Sequence, residues 1–539
     1  MVFHQIFLSK NVMDGIIFKW VIMIFVLMLV IIFNLGGVNQ YTIRRDELTT
    51  LGHIGALAKN SDGYSIATTI ESLSIYSSDH SPLYYAIANM WGYFVDFNYF
   101  AIRMLSVWFG IIAVAGTYWI GQHLVSASAG LFSAILLGTN VVFYANFHEM
   151  REWSMMLMLC VLTLAIYFHI ADQQKPTKPF KFFLLFSGVV LSLYTSYLSI
   201  FMLAAIGLHH LLFVPKNKKW WQISITVILG GLTFVPWLPI VFNGVTMLQE
   251  TPDIDEKVIT NAQLLATLPI FFGNGLPIVL GGGVGLGLVA SVMGWKKSRY
   301  ILLILIVITA SFLFTNEILS FIKRLRYLVI WLFSFSLFMG AGLGLLTRKK
   351  ITCFIPTILI GLWVTSGIGF AQTDQFNAYL SKDRSVRYPE YNGLVPLLQQ
   401  QTEKRDLLIL AQYEASALNQ SKQGLLSIQD YYLSPLKLTI TNFPQYSQWA
   451  GSGIDADSVE YAMGLVPGRD EFWLSYHNTD VTSDIMRFRE QVEQDFHICR
   501  MSRYGQKSIL IHYVVNNSNT SCNVISQLRK YLDSVKDLL

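Results

Sequence analysis

Charged side chains are scarce in this chain of 539 residues: Asp, Glu, Lys and Arg together make up 14%. A soluble domain usually holds about 25%. With 53% hydrophobic residues beside them, that scarcity excludes an ordinary soluble globular protein. It predicts a polytopic membrane protein with a soluble part. Cysteine is also rare. The four Cys form no Cys-x-x-Cys pair, so the usual ligand spacing for structural zinc and for dithiol redox chemistry is missing. Cys160 and Cys353 lie in apolar runs as packing residues, whereas Cys499 and Cys522 fall in the polar C-terminal part. Those two can pair if that part faces an oxidising compartment. The tail has no phosphate-binding glycine loop. The glycine-rich string Gly281–Gly287 lies inside an apolar run and predicts close helix packing. A net charge of +5 does not point to nucleic acid, because membrane proteins keep Lys and Arg in their cytoplasmic loops. A cleavable signal is not expected either, since the first apolar run is too long and no clean small-residue site follows it.

What the chain has in quantity is apolar length. About 20 apolar residues cross the hydrocarbon core as a helix. About eleven runs qualify, near 16–36, 101–121, 127–145, 152–170, 181–195, 198–214, 221–241, 276–294, 300–317, 327–346 and 352–370. With the N-terminus (Lys10, Lys19) in the cytoplasm, alternate loops carry four basic sets. These are Lys175, Lys178 and Lys181; Lys216, Lys218 and Lys219; Lys296, Lys297 and Arg299; and Arg348, Lys349 and Lys350. All four fall on the cytoplasmic side, as the positive-inside rule requires. The loop near 242–275 falls outside and is acidic, with Glu250, Asp253, Asp255 and Glu256. An odd number of spans puts the C-terminus outside, with two long outer segments, 37–100 and 371–539. The outer loop 318–326 breaks the charge rule with Lys323, Arg324 and Arg326. Cations on that side ask for a local reason, and an anionic ligand is one.

The tail alternates strand-like runs (from Asp406, Lys437, Glu471 and Ser508) with helical patterns at Ser483–Gln494 and Val524–Leu538, an α/β texture. The expected fold class is an all-α polytopic membrane domain of about 11 transmembrane helices over residues 1–370, followed by a C-terminal extracytoplasmic α/β domain over 371–539.

Four outer stretches carry chemistry, each with a plainer alternative. In the first, Arg44-Arg45-Asp46-Glu47 of the 37–100 loop leads a helical pattern that puts Asp46, Thr49 or Thr50, and His53 on one face. Asp46 at the membrane surface can act as a general base, or the acidic pair can simply favour a helix N-terminus. The second, Ser77–Tyr85, sets His80 between Asp79 and Ser81-Pro82; the plainer reading is an interfacial amphipathic segment. The third, Asn146–Met156, places His148, Glu149, Arg151 and Glu152 at a membrane boundary. Such groups are costly there unless functional or paired, Glu149 with Arg151 being the structural option. The fourth, Phe321–Trp331, spaces Lys323 and Arg326 three apart with Tyr327 beside them, suited to phosphate oxygens or to snorkelling.

In this order the stretches resemble the integral-membrane glycosyltransferases of the GT-C fold, nearest the bacterial relatives of protein O-mannosyltransferases and of the lipid A aminoarabinose transferase. Asp46-Glu47 match the acidic pair of that family. His80, Pro82, Leu83, Tyr84 and Tyr85 match its His-Pro-Pro-Leu-Tyr-Tyr-like stretch, with Ser81 in place of a Pro. Arg103 with Leu105 and Ser106 matches the opening of its second span. Glu149 and Arg151 match a Glu-Ala-Arg-Met-Tyr-like stretch, with Trp153 for the Tyr, and Arg326-Tyr327-Leu328 match an Arg-Tyr-Leu. One departure stands out: Thr195-Ser196-Tyr197 replaces a frequent Thr-His-Tyr. The resemblance spans roughly residues 15–370.

It implies a polyprenyl-phosphate sugar donor and a lipid, glycan or protein acceptor outside a bacterial inner (cell) membrane, with no nucleic acid involved. Asp46 becomes the candidate base, with Glu47 and His80 orienting it or the acceptor. Lys323, Arg326 and Arg151 become the donor-phosphate ligands, and Glu149, Tyr85, Arg103 and Tyr327 further site candidates. No cofactor is required, although a divalent metal is compatible. Direct displacement with inversion is the simplest chemistry for one central carboxylate. The competing class is a transporter or flippase of lipid-linked sugars, which internal repeats and broken mid-span helices would favour.

Overall fold

The computed structural model describes residues 23–32, 45–56, 64–173, 176–250, 259–292, 297–322, 324–347, 354–373, 376, 391–402, 406–411, 433–442, 463–477, 483–504 and 508–516. The chain forms two compact units: Met1–Asn39, His53–Ala56 and Gly63–Asp383 in the first, and Gln40–Gly52, Leu57–Asp62 and Arg384–Leu539 in the second.

The helices in order are α1 (Met23–Ile32), α2 (Arg45–His53), α3 (Ile66–Tyr76), α4 (Leu83–Phe94), α5 (Tyr99–Leu124), α6 (Ala127–Gly138), α7 (Val141–Asn146), α8 (Trp153–Ala171), α9 (Pro179–Thr195), α10 (Ser199–Phe213), α11 (Lys218–Leu232) and α12 (Leu238–Glu250). They continue as α13 (Asn261–Phe272), α14 (Pro277–Val292), α15 (Ser298–Leu319), α16 (Val329–Leu346) and α17 (Phe354–Ala371), all in the first unit except most of α2. Among the described residues, six segments are long and apolar enough to cross a membrane: α5, α8, Lys218–Thr246, α15, Leu325–Leu346 and α17. The pair α13 and α14, bent by 92°, makes a seventh if it is one span. Helices α1, α6, α9 and α10 are apolar but shorter.

Burial sorts these helices. The apolar windows of Leu325–Leu346 and α8 are 89% and 72% buried, against 17–33% for Lys218–Thr246, α15 and α17. A helix apolar on every side belongs either in a protein interior or against lipid, and here the two kinds separate. Small residues let the inner helices approach. A Cβ on Gly344 of α16 would lie 2.8 Å from the Ala129 Cβ of α6. Gly283 and Gly287 of α14 face Met339 and Phe338 of α16, whereas Gly281, Gly282 and Gly285 meet nothing within 4 Å, so the glycine-rich string packs a helix along one side only.

One expected span is interrupted and one expected loop is partly helical. The 127–145 run breaks at Thr139-Asn140, where the Asn140 side chain caps α7 by accepting from Val142 N (2.9 Å). Instead of a loop reaching to residue 275, residues 261–272 form α13, opened by a Thr260–Gln263 capping box. The elbow Gly273-Asn274-Gly275 then turns the chain into α14, with φ +53° at Asn274 and +83° at Gly275. The two breaks are tied together. The Asn274 amide donates to Thr139 O (3.0 Å) and Trp363 O (3.1 Å) and accepts from Val141 N (2.9 Å). Asn140 in turn donates to Phe271 O at 3.1 Å.

The second unit holds a five-stranded mixed sheet, β1 (Leu407–Ala411), β2 (Thr439–Asn442), β3 (Glu471–His477), β4 (Phe496–Tyr504) and β5 (Ser508–Val515), in the order β2-β1-β3-β5-β4. β1 runs parallel to β2 and β3, and β5 antiparallel to β3 and β4. Helices α18 (Tyr391–Gln401) and α19 (Ser483–Asp495) flank these strands in sequence. One sheet face packs Ile409, Phe472, Leu474, Ile511 and Tyr513 with Phe488 and Val492 of α19. The alternate residues Leu408, Trp473, Leu510 and Val514 are buried as well, so both faces are covered, as parallel pairing demands. β4 was not expected from the sequence. It is an edge strand carrying Arg500 and Arg503, the charge that edges use against mispairing and that masks a strand pattern. Cys499 on β4 is disulfide-bonded. The candidate helix Val524–Leu538 and Cys522 lie outside the described residues.

Candidate active site

The turn Asp79-His80-Ser81-Pro82 enters α4, where Pro82 sits at the N-cap. Three elements hold it. Ser81 Oγ donates to Leu193 O of α9 (3.1 Å). The Tyr197 hydroxyl lies 3.0 Å from both Ser78 O and His80 O and accepts from Trp237 Nε1 at 3.0 Å. Tyr197 is therefore the useful residue of Thr195-Ser196-Tyr197, in which Ser replaces the expected His.

Against this turn stands the segment between α7 and α8. It is folded tightly on itself, with Arg151 N to Glu149 O at 2.7 Å and Ser154 Oγ to Phe147 O at 2.9 Å. Arg151 Nη2 donates to His80 Nε2 at 2.7 Å. A guanidinium has no acceptor, so this bond needs an unprotonated Nε2. The ring proton then sits on Nδ1, 3.3 Å from Glu152 Oε1. Glu152 Oε2 lies 3.6 Å from Arg151 Nε. Asp79 Oδ2 approaches Nε2 from the more exposed side at 3.3 Å. Burial by itself would raise the Glu152 pKa, but the Arg151 charge and His80 outweigh it and hold the carboxyl down at about 2.

A second buried pair lies on the same segment. Arg326 Nη1 meets Glu149 Oε1 at 3.1 Å, with side chains 3% and 1% exposed. The Arg326 guanidinium also sits 5.8 Å from the Trp153 ring and 5.9 Å from the Tyr327 ring, and those two rings meet edge-on at 5.1 Å. Arg326 lies in a single 3-10 turn, Leu325–Leu328, rather than in an α-helix. Lys323 lies outside the described residues. Whatever the local Glu149–Arg151 pairing contributes, the fold adds two long-range ties, Arg151 to His80 and Arg326 to Glu149.

Tyr85 completes the group. It is fully buried, 6.0 Å from the His80 ring and 5.9 Å from the His53 ring. Among the described residues its hydroxyl has no hydrogen-bond partner, and burial pushes its pKa well above the ordinary phenol value. Tyr84 bonds Ser106 Oγ at 2.9 Å. Arg103, one turn earlier on α5, is buried against Tyr99. His53 was grouped in the sequence only as a face-mate of Asp46. It is clamped by Ser72 Oγ and Ser77 Oγ, each at 2.8 Å. Burial, with the Arg151 charge nearby, lowers its pKa to about 3, so it is a neutral structural ring. Glu152 was visible only as the last of four neighbouring ionisable residues, with no motif to mark it.

The structure thus brings His80, Tyr85, Glu149, Arg151, Arg326 and Tyr327 into the first unit. Asp46 and Glu47 belong to the second unit. There Asp46 is half-buried, Glu47 is buried, and both occupy the first turn of α2. Among the described residues no group of three or more His, Cys, Asp or Glu is suited to hold a metal ion.

The far end of α8 is different in kind. Asp172 takes Lys297 at 2.6 Å and His123 at 2.9 Å. Gln173 takes Lys181 at 3.0 Å and also Lys219. Lysines from three loops converge there. The 19 residues of α8 separate that end from the Arg151–Glu152 end by about 28 Å, close to the hydrocarbon thickness of about 30 Å.

Residues 79–242 match the family model described as dolichyl-phosphate-mannose-protein mannosyltransferase. No curated protein is significantly similar to the chain. Similar solved structures include ArnT from Cupriavidus metallidurans in the apo state, at 10% identity over 93% of this chain and 98% of that one, TM-score 0.49. The same protein bound to undecaprenyl phosphate gives 11% identity, 93% and 99% coverage and TM-score 0.49. The apo oligosaccharyltransferase of Archaeoglobus fulgidus gives 8%, 94% and 75%, and 0.48. The matched segment begins at the His80 turn and contains the whole of the 146–153 segment and α8, so it holds His80, Glu149, Arg151 and Glu152, while Arg326 and Tyr327 lie beyond it. The likeness to a lipid-phosphate-dependent mannosyltransferase is thus confined to residues 79–242.

Proposed function

We propose that the protein transfers one sugar from a polyprenyl-phosphate-linked donor to a lipid, glycan or protein acceptor on the extracytoplasmic side of a bacterial cell membrane, by direct displacement with inversion. The observation that carries this reading is the two-ended character of α8. Buried Arg, Glu and His groups gather at its N-terminal end, and lysines at its C-terminal end. If the lysines mark the cytoplasm, the buried cluster lies at the outer rim, where a lipid-linked sugar presents its phosphate. The four shorter apolar helices, added to the long spans and the bent pair, are consistent with eleven crossings and an outer C-terminus. The Cys499 disulfide suits an oxidising compartment for residues 371–539.

In the reaction the bond from the anomeric carbon to the phosphate oxygen breaks. Positive charge grows on the ring and negative charge on the leaving phosphate, while the acceptor hydroxyl loses its proton. Asp46 takes that proton, a role worth on the order of 10²–10⁴-fold. Glu47 orients Asp46. Arg151 and Arg326 face the leaving phosphate with Lys323, because a guanidinium with five donors can serve a carboxylate and a phosphate together. Tyr85 supplies a neutral O–H donor beside them. No step needs a metal.

The test is transfer of labelled sugar from a polyprenyl-phosphate donor in detergent. Asp46→Asn should abolish product and leave polyprenyl-phosphate binding intact. Turnover retained in that variant removes Asp46 from the role, and absence of product in the parent protein under the same conditions favours a lipid-linked sugar transporter, for which the broken α13–α14 pair would be suited.

A further inference from the structure

We propose that Glu152 is the positioning residue of the cluster: its carboxylate sets which ring nitrogen of His80 carries the proton and thereby fixes the Arg151 guanidinium. The proposal rests on the reading of Arg151 as a donor-phosphate ligand.

The argument starts from a competition. Two carboxylates flank the His80 ring, Asp79 on Nε2 and Glu152 on Nδ1, each at 3.3 Å. If Asp79 prevailed, the proton would sit on Nε2 and the lone pair on Nδ1. Arg151 could then no longer donate to Nε2, where it is found at 2.7 Å. Glu152 is 2% exposed, whereas the Asp79 side chain is 36% exposed. The buried carboxylate acts through less screening solvent, so it draws the proton to Nδ1 and leaves Nε2 open to Arg151. Glu152 Oε2 also lies beside Arg151 Nε at 3.6 Å. One carboxylate therefore holds the guanidinium directly and, through the imidazole, a second time. Its own position is fixed by the helix it starts, since Glu152 is the N-cap of α8, where the helix dipole favours a negative charge.

Without the Glu152 charge, the His80 ring can present an N–H to Asp79, and Arg151 loses the His80 acceptor together with the Glu152 carboxylate beside it. The guanidinium is then held less firmly in its direction toward a phosphate. The consequence falls on donor affinity first, because an interaction made with bound donor and transition state alike appears in KM.

The experiment compares full-length protein in detergent as the parent, Glu152→Gln, Glu152→Asp, His80→Ala and the double variant Glu152→Gln/His80→Ala, normalised to the folded fraction. We expect the donor KM to rise about tenfold, one charge-assisted contact's worth, in Glu152→Gln and in His80→Ala alike. The double variant should rise no further, and Glu152→Asp, which keeps the charge, should recover part of the loss. A Glu152 that merely supported the fold would reduce the amount of active enzyme and leave KM unchanged. An unchanged KM in Glu152→Gln, or about a hundredfold rise in the double variant, overturns the proposal. Should the parent transfer no sugar at all, the functional reading fails separately. Thermal unfolding of the same variants then decides the matter alone: non-additive shifts for His80 and Glu152 support the coupling, and additive shifts refute it.

Discussion

Arg326 and Glu149 show what a single residue can settle. Their side chains are 3% and 1% exposed and bond at 3.1 Å across 177 positions of sequence. A buried pair is weak as a source of net stability, yet removing one partner strands the other charge at a cost of about 3–5 kcal/mol. Glu149→Ala should therefore lower the unfolding free energy by about 3 kcal/mol, read from chemical denaturation in detergent. A loss under about 1 kcal/mol, the range of exposed pairs, would mean that water reaches the pair. The pairing itself was not legible. Arg326 lies far from Glu149 in sequence, so this partner is one that only the fold supplies. The residue types at the site could be read from the sequence, because ionisable groups beside apolar runs are conspicuous. Glu152 shows the limit: its importance lies in a ring 72 positions earlier, and no local pattern announces that.

At the scale of elements, the lock between the two helix breaks is the feature that the sequence concealed. A run such as Asn261–Phe272, only 12 residues long with Pro269 inside, is too short to cross a bilayer and reads as loop. The Gly273-Asn274-Gly275 elbow then looks like an ordinary turn. In the fold it is a buried joint whose Asn274 side chain makes three hydrogen bonds to the backbones of residues 139, 141 and 363. Asn tolerates the left-handed backbone that other side chains adopt at a cost of about 1–2 kcal/mol. Two effects can thus be separated at one position. Asn274→Gly removes the side-chain bonds and keeps the backbone at ease. Asn274→Ala removes the same bonds and adds the strain at φ +53°. Both should destabilise, with Ala worse than Gly by about 1 kcal/mol. Since α7 runs from this joint to the Glu149 segment, sugar transfer should fall in the same order. Equal stabilities for the two variants would show that the elbow relaxes to another backbone conformation.

At the scale of the whole molecule, two rules of length and charge need no side-chain detail, which is why they were readable first. Apolar runs of bilayer length and alternating basic loops follow from solvation alone. How the spans pack, and which of them are broken, depends on glycines and buried amides whose partners lie far off in sequence. The strand pattern of the second unit was readable for its central strands and lost at the charged edge. Orientation is the property in which both rules meet, and it can be measured directly. Lys181, Lys219 and Lys297 converge on the C-terminal end of α8, while Asp79 stands in the turn at the other end. Asp79 and Lys218 are both exposed, and the one cysteine free of a disulfide among the described residues, Cys160, is buried. Asp79→Cys and Lys218→Cys, each introduced singly, should therefore take up a membrane-impermeant maleimide from opposite sides above the parent's background. In intact cells or right-side-out vesicles the Asp79 position should label at once, and the Lys218 position only after permeabilisation. Lys218 labelling from outside would invert the molecule and move the Arg151–Glu152 cluster to the cytoplasmic face, where the proposed acceptor is not found.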